Sequence, residues 1–324
     1  MGSESRKRGG ERYNSHVKIE WAWLGRQDPI PVPDNEIVLE SRERCRVLLL
    51  HGLTGTPTEF GYIAHFLHHR GGVAVECRRL VNHGQPIGIL AGTRWQELLA
   101  SAREHFLRAR SAAQRDGVPL VVGGLSLGAV LSLLLAAEYP DDVAGVMGLS
   151  PTLFYDGWNV PWTQRLITLA DYLPLKYFLY LREQPPYGIK DEVLREKVAA
   201  SYANAVLGDD TNAAQLGYAH FPLRLFCEMR HLIARCTASL ARVRAPLLLL
   251  QAEHDDATSP RNARFILERV ASQRKELVML ENSYHVITAD LERAQVAAAM
   301  TRFCLSLAAG APQASTSAQA VSHG

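Results

Sequence analysis

Short, unbroken apolar runs alternate along the chain with longer stretches whose apolar positions recur every three to four residues. The runs at 46–50, 73–77, 120–123, 143–149, 247–251 and 276–280 predict buried strands. The stretches near 57–70, 93–115, 126–139, 260–272 and 288–307 predict helices. Strands that are apolar at every position need cover on both faces, so the pattern predicts a mostly parallel sheet between two helical layers, an α/β architecture. The alternation stops over 151–239, where no run reads as a buried strand and helical patterns are separated by prolines. That segment holds 13 of the 25 aromatic residues, among them Phe154, Tyr155, Trp158, Trp162, Tyr177, Phe178 and Tyr180. The pattern therefore predicts a sheet core over 16–150 and 240–308, carrying a helical insertion over 151–239. A polar tail is expected over 1–15 and a small-residue tail over 309–324. Aromatics in the insertion serve its own packing and are also suited to lining an apolar pocket beneath it.

Composition narrows the class. At 47% hydrophobic and 21% charged, the 324 residues suffice for one large core. A formal charge of +2, with basic residues scattered apart from Arg6-Lys7-Arg8, argues against a nucleic-acid partner. Cys45, Cys77, Cys227, Cys236 and Cys304 show neither a CxxC pair nor metal-ligand spacing, and read as small buried hydrophobes in a reducing compartment. The stretch MGSESRKRGGERYN has no apolar segment of the kind a secretory signal needs, and no run approaches the ~20 residues of a membrane span. The expectation is a soluble, cytoplasmic protein without integral membrane association.

The candidate chemistry starts at Gly124-Leu125-Ser126-Leu127-Gly128. As a GxSxG string it is weak, but it lies between a predicted strand and a predicted helix. A serine on so tight a turn needs flanks without Cβ atoms, and the following helix offers the Leu127 N–H to a developing oxyanion. A serine hydroxyl needs a base, and the base needs an orienting acid. In the α/β-hydrolase architecture, whose strand-to-helix nucleophile turn this glycine-flanked serine resembles, these follow at later strand ends, in the order serine, acid, histidine. Asp255 in APLLLLQAEHDDATSP and His285 in KELVMLENSYHVITAD occupy those places. Asp256, His254 and His51 are the neighbouring alternatives; the strand-end positions favour Asp255 and His285. His254-Asp255-Asp256 reads as a polar loop rather than a metal site, and the chemistry asks for no cofactor. A second oxyanion donor is expected from His51-Gly52-Leu53-Thr54-Gly55, where two glycines aim the Leu53 N–H inward.

Taken together, His51-Gly52-Leu53-Thr54-Gly55, Gly124-Leu125-Ser126-Leu127-Gly128, Gln251-Ala252-Glu253-His254-Asp255 with Pro260, and the segment from Tyr284-His285 to Asp290 resemble the motifs of bacterial carboxylesterases and monoacylglycerol-lipase-like serine hydrolases. The resemblance covers 45–150 and 240–307 and fades over 151–239. It implies an α/β-hydrolase fold with a helical cap, Ser126 as nucleophile, Asp255 as acid, His285 as base, and Leu53 and Leu127 N–H as the oxyanion hole. It also implies a small-molecule ester substrate with an apolar acyl group. Ala129 and Tyr284 depart from the pattern, each replacing a glycine, and Tyr284 is expected to bring a bulky ring to the site. Thioester hydrolysis or acyl transfer would use the same residues. A serine peptidase would need an acidic subsite for the substrate's amino terminus, and a binding protein could keep the fold without the chemistry.

Overall fold

A computed structural model describes residues 18–32, 35–42, 44–160, 173–209 and 217–310. Its strands are β1 (Lys18–Trp21), β2 (Ile37–Leu39), β3 (Arg46–Leu50), β4 (Ala74–Cys77), β5 (Leu120–Leu125), β6 (Gly145–Leu149), β7 (Leu179–Arg182), β8 (His220–Pro222), β9 (Leu247–Ala252) and β10 (Lys275–Leu280). Its helices are α1 (Gly61–Gly71), α2 (Ile87–Gly92), α3 (Trp95–Asp116), α4 (Leu127–Glu138), α5 (Glu192–Ala203), α6 (Leu223–Ser239), α7 (Arg261–Arg269) and α8 (Arg293–Gly310). Trp162, the 1–15 tail and residues 311–324 lie outside the described residues.

The main sheet runs β10–β9–β6–β5–β3–β4–β2, parallel throughout except for β2, which pairs antiparallel with β4. Successive residues of a strand point to opposite faces, and here both faces are dry. Leu48 and Leu50 of β3 join one core with α3, α4 and α6, while Val47 and Leu49 join the other with α1 and α8. Leu247 and Leu249 of β9 divide from Leu248 and Leu250 in the same way. This two-sided burial is why these strands are almost wholly apolar, with Arg46 and Gln251 their polar residues. All six predicted strands are present, and the α/β-hydrolase architecture expected from the sequence is borne out. Among the described residues, no helix is long and apolar enough to cross a membrane.

The insertion differs from its expectation. It contributes α5 and α6, but also β7 and β8, which form a three-stranded antiparallel sheet with β1 in the order β1–β7–β8. The strands were invisible to the apolar-run criterion because they are three or four residues long and mix polar with apolar positions. Opposite residues share a face, so Ile19 and Trp21 lie with Leu179 and Leu181, and Lys18 and Glu20 with Arg182 and Tyr180. Glu20 meets Lys18 Nζ at 3.2 Å, Arg182 Nη1 at 3.6 Å and His220 Nε2 at 3.2 Å. Residues 18–21, expected in the core, thus serve the insertion instead.

Candidate active site

Ser126 closes the turn from β5 into α4 with φ 57° and ψ −110°, a backbone conformation costing a non-glycine residue about 1–3 kcal/mol. The surroundings enforce it. The Ser126 N–H donates to Leu149 O at 2.9 Å, and its carbonyl accepts from Ala129 N at 3.1 Å and Val130 N at 3.3 Å. A Cβ at Gly124 would lie 2.3 Å from the Gly128 carbonyl carbon, and one at Gly128 only 1.8 Å from Leu50 O. Neither position can hold a side chain without moving the turn. Half-buried Ser126 places its Oγ 2.9 Å from Thr152 Oγ1, and Thr152 donates in turn to Ser150 O at 3.3 Å. The hydroxyl therefore rests on Thr152, a partner that no sequence motif singled out.

Asp255 follows β9, and His285 follows β10, both at the same sheet edge as Ser126. The buried Asp255 carboxylate is fixed by four donors: Ala257 N at 2.9 Å and Thr258 N at 2.7 Å on Oδ1, Gln251 Nε2 at 2.9 Å and Thr258 Oγ1 at 3.0 Å on Oδ2. Both its oxygens stand 3.0 Å from His285 Nδ1. This fixes the proton on Nδ1 and leaves Nε2 as the basic nitrogen. Burial pushes the His285 imidazole down, but the Asp255 charge and hydrogen bond, with help from Asp256 and Glu59, hold it above its ordinary 6.5.

Asp256, the rival acid, points elsewhere. Its Oδ1 accepts the His285 N–H at 3.2 Å and its Oδ2 the Gly188 N–H at 3.2 Å, so it ties the histidine loop to the insertion. Burial, then the neighbouring Asp255 charge, pushes it up to about 6. Asp290 makes a second tie, accepting from Lys190 N at 2.9 Å, Asp191 N at 2.8 Å and Tyr284 N at 2.8 Å. The Tyr284 ring packs edge-on against Trp158 at 5.4 Å and beneath Lys190 Nζ at 5.8 Å, both from the insertion. Among the described residues, no group of three His, Cys, Asp or Glu side chains is placed to hold a metal ion.

The loop after β3 is held as tightly. His51 accepts the Leu80 N–H on Nε2 at 3.0 Å, so its Nδ1 donates to Gly52 O, also at 3.0 Å. Burial, then the neighbouring His83, holds His51 well below its ordinary range and hence neutral. Leu53 O meets His83 Nε2 at 2.8 Å, and Thr54 O accepts from Tyr218 N of the insertion at 3.2 Å. His51 and His83 are thus positioning side chains. The remaining unforeseen residues are Thr258, Gln251, Glu59 and Glu183, single polar side chains whose place at the site depends on loop geometry.

Residues 41–292 match the family described as serine aminopeptidase, S33. The chain belongs to this family. This S33-family chain is 27% identical over 252 residues to the thermostable monoacylglycerol lipase of Bacillus sp. (strain H-257), spanning 77% of this chain and 86% of that one. It is 23% identical over 247 residues to a carboxylesterase of Bacillus subtilis (strain 168), spanning 76% and 87%. The crystal structure of a monoacylglycerol lipase of Paleococcus ferrophilus superposes with a TM-score of 0.65 at 21% identity, covering 87% of this chain and all of that one; at this identity the likeness speaks for the fold.

Proposed function

We propose that this chain hydrolyses carboxylic esters through an acyl-enzyme on Ser126. The observation that carries the reading is a serine strained to φ 57° at the end of β5, on the same sheet edge as a buried Asp255–His285 pair in 3.0 Å contact. Ser126 Oγ turns from Thr152 and gives its proton to His285 Nε2 while Oγ attacks the ester carbonyl carbon. The carbonyl oxygen, now an oxyanion, takes hydrogen bonds from Leu53 N–H and Leu127 N–H. His285 passes the proton to the leaving alkoxide as the ester bond breaks. Water then repeats the attack on the acyl-enzyme, releasing the acid and restoring Ser126. Asp255 holds the imidazole tautomer throughout.

The insertion bonds to the loops that carry this site, through Gly188, Lys190 and Tyr218, and its aromatic rings suit an apolar acyl chain of medium or long length. Tyr155 stacks edge-on against Phe226 at 5.3 Å, and Phe226 lies 5.6 Å from Phe221. The names of the lipase and carboxylesterase relatives support the same substrate class. Five free, buried cysteines support the cytoplasm as its compartment.

An aminopeptidase reading has two observations in its favour, the description of the matching family and the Glu59 and Glu183 carboxyls in the electrostatic neighbourhood of His285. Burial pushes Glu59 up to about 7, and burial with the Asp256 charge pushes Glu183 up to about 8. Neither carries a full charge at neutral pH, which disfavours capture of an ammonium group. Hydrolysis of p-nitrophenyl esters from acetate to palmitate, beside an acyl thioester and an aminoacyl p-nitroanilide, tests the assignment. Medium or long esters are expected to lead. A steep preference for acetate overturns the acyl assignment, and faster thioester or anilide cleavage overturns the ester assignment.

A further inference from the structure

The turn Pro57–Phe60 folds Glu59 back over the loop that leaves β3. Its Oε2 accepts the Gly52 N–H at 2.9 Å. A Cβ at Gly55 would fall 1.8 Å from Glu59 Oε1 and 2.3 Å from Cδ, and one at Gly52 would stand 3.5 Å from both carboxyl oxygens. The carboxyl therefore fills the space that a side chain at position 55 would need, which gives the second glycine of the HGLTG segment its physical reason. The other loop peptides are also engaged: Gly52 O accepts from His51 Nδ1 at 3.0 Å and from Gly55 N at 3.3 Å, and Leu53 O meets His83 Nε2 at 2.8 Å. Among the described residues, Leu53 N–H donates to no protein acceptor. The loop is pinned on every side of the one N–H that the ester-hydrolase reading requires to be open.

We propose that Glu59 is a positioning residue, whose carboxyl fixes the Gly52 peptide and through it the direction of the Leu53 N–H toward the oxyanion. The inference rests on the ester-hydrolase reading. Glu59 acts without touching the substrate carbonyl. Groups facing it from other elements are His285 after β10, Glu183 after β7, Cys77 on β4 and Tyr202 on α5. Burial pushes the Glu59 carboxyl up to about 7, and its negative charge helps to hold the His285 imidazole above its ordinary value. Removing that charge moves His285 toward a lower pKa, so the acid limb of the rate profile moves to lower pH.

The test compares Glu59→Gln and Glu59→Ala on a p-nitrophenyl ester that the wild type cleaves. A glutamine oxygen can accept the same N–H, so Glu59→Gln is expected to keep kcat within about threefold, with its acid limb displaced to lower pH. Glu59→Ala leaves Gly52 N–H unheld and is expected to lower kcat about 10- to 100-fold with KM nearly unchanged, short of losing an oxyanion donor outright. Should Glu59→Ala fail to fold, Glu59→Met, which keeps the side chain's length without the acceptor, is read by the same kcat criterion. A Glu59→Ala kcat within twofold of the wild type, or a Glu59→Gln kcat as low as that of Glu59→Ala, overturns the proposal. A wild type that cleaves no ester overturns the function reading itself, a distinguishable result.

Discussion

The sheet core and the insertion solve the same packing problem with different chemistry. In the core, the central strands β3, β5, β6 and β9 are sealed on both faces, and their sequences are near-continuous apolar runs. In the insertion, β1, β7 and β8 carry mixed sequences, and β1 pairs with a strand about 160 residues away in the chain. The core places Ser126 after β5, and Asp255 and His285 after the adjacent pair β9 and β10, all at one edge of the sheet, while the insertion reaches back onto their loops. Gly188 holds Asp256, Lys190 and Asp191 hold Asp290, and Tyr218 holds Thr54. The difference teaches that the proposed reacting groups belong to the core, whereas the loops that carry them are held in part by the insertion.

The largest expected effect tests the core side. Ser126→Ala should lower ester hydrolysis on the order of 10⁴-fold or more while leaving the unfolding temperature near that of the wild type. Asp255→Asn should cost about 10³- to 10⁴-fold in kcat. It should also move the acid limb downward, because hydrolysis needs neutral His285 and Asp255 is what raises that imidazole above 6.5. Wild-type activity should accordingly rise with pH through a value above 6.5.

Asp256→Asn probes the connection between the two regions. It keeps one acceptor but introduces an amide opposite the N–H groups of His285 and Gly188, and is expected to lower kcat about tenfold through a looser histidine loop. An unchanged kcat would cut the insertion out of the mechanism.

The smallest effect is electrostatic and lies in the insertion. Glu183 is pushed up to about 8 in the folded chain against an ordinary 4.5. Between those values the unfolded chain releases the proton that the folded chain keeps, so this group's contribution to stability falls as pH rises through the window. Glu183→Gln should therefore gain thermal stability over the wild type from pH 5 to pH 8, with a constant difference above, measured by melting temperature across pH.

Legibility follows the same division. The six core strands, the Ser126 turn and the places of Asp255 and His285 were readable, because a parallel sheet demands apolar runs and sets active groups at their ends. Thr152, Glu59 and Thr258 were not, since each is one polar residue in a turn or loop whose path no periodicity records; nor was the role of Gln251, a polar residue at the end of the β9 run whose partner the strand pattern does not reveal. Nor was the insertion's small sheet, whose strands are too short to show alternation and in which β1 pairs with a strand about 160 residues further along the chain. Tyr284 was expected to bring a bulky ring to the site; that ring packs against Trp158 and beneath Lys190, both of the insertion.

The central claim is that the strained serine is the nucleophile driven by the Asp255–His285 pair. Treatment with a fluorophosphonate, followed by peptide-level mass spectrometry, tests it most directly. The account predicts a single adduct on Ser126, formed rapidly in the wild type and far more slowly in His285→Ala. An adduct on another residue, or none on folded protein that cleaves esters, would contradict it.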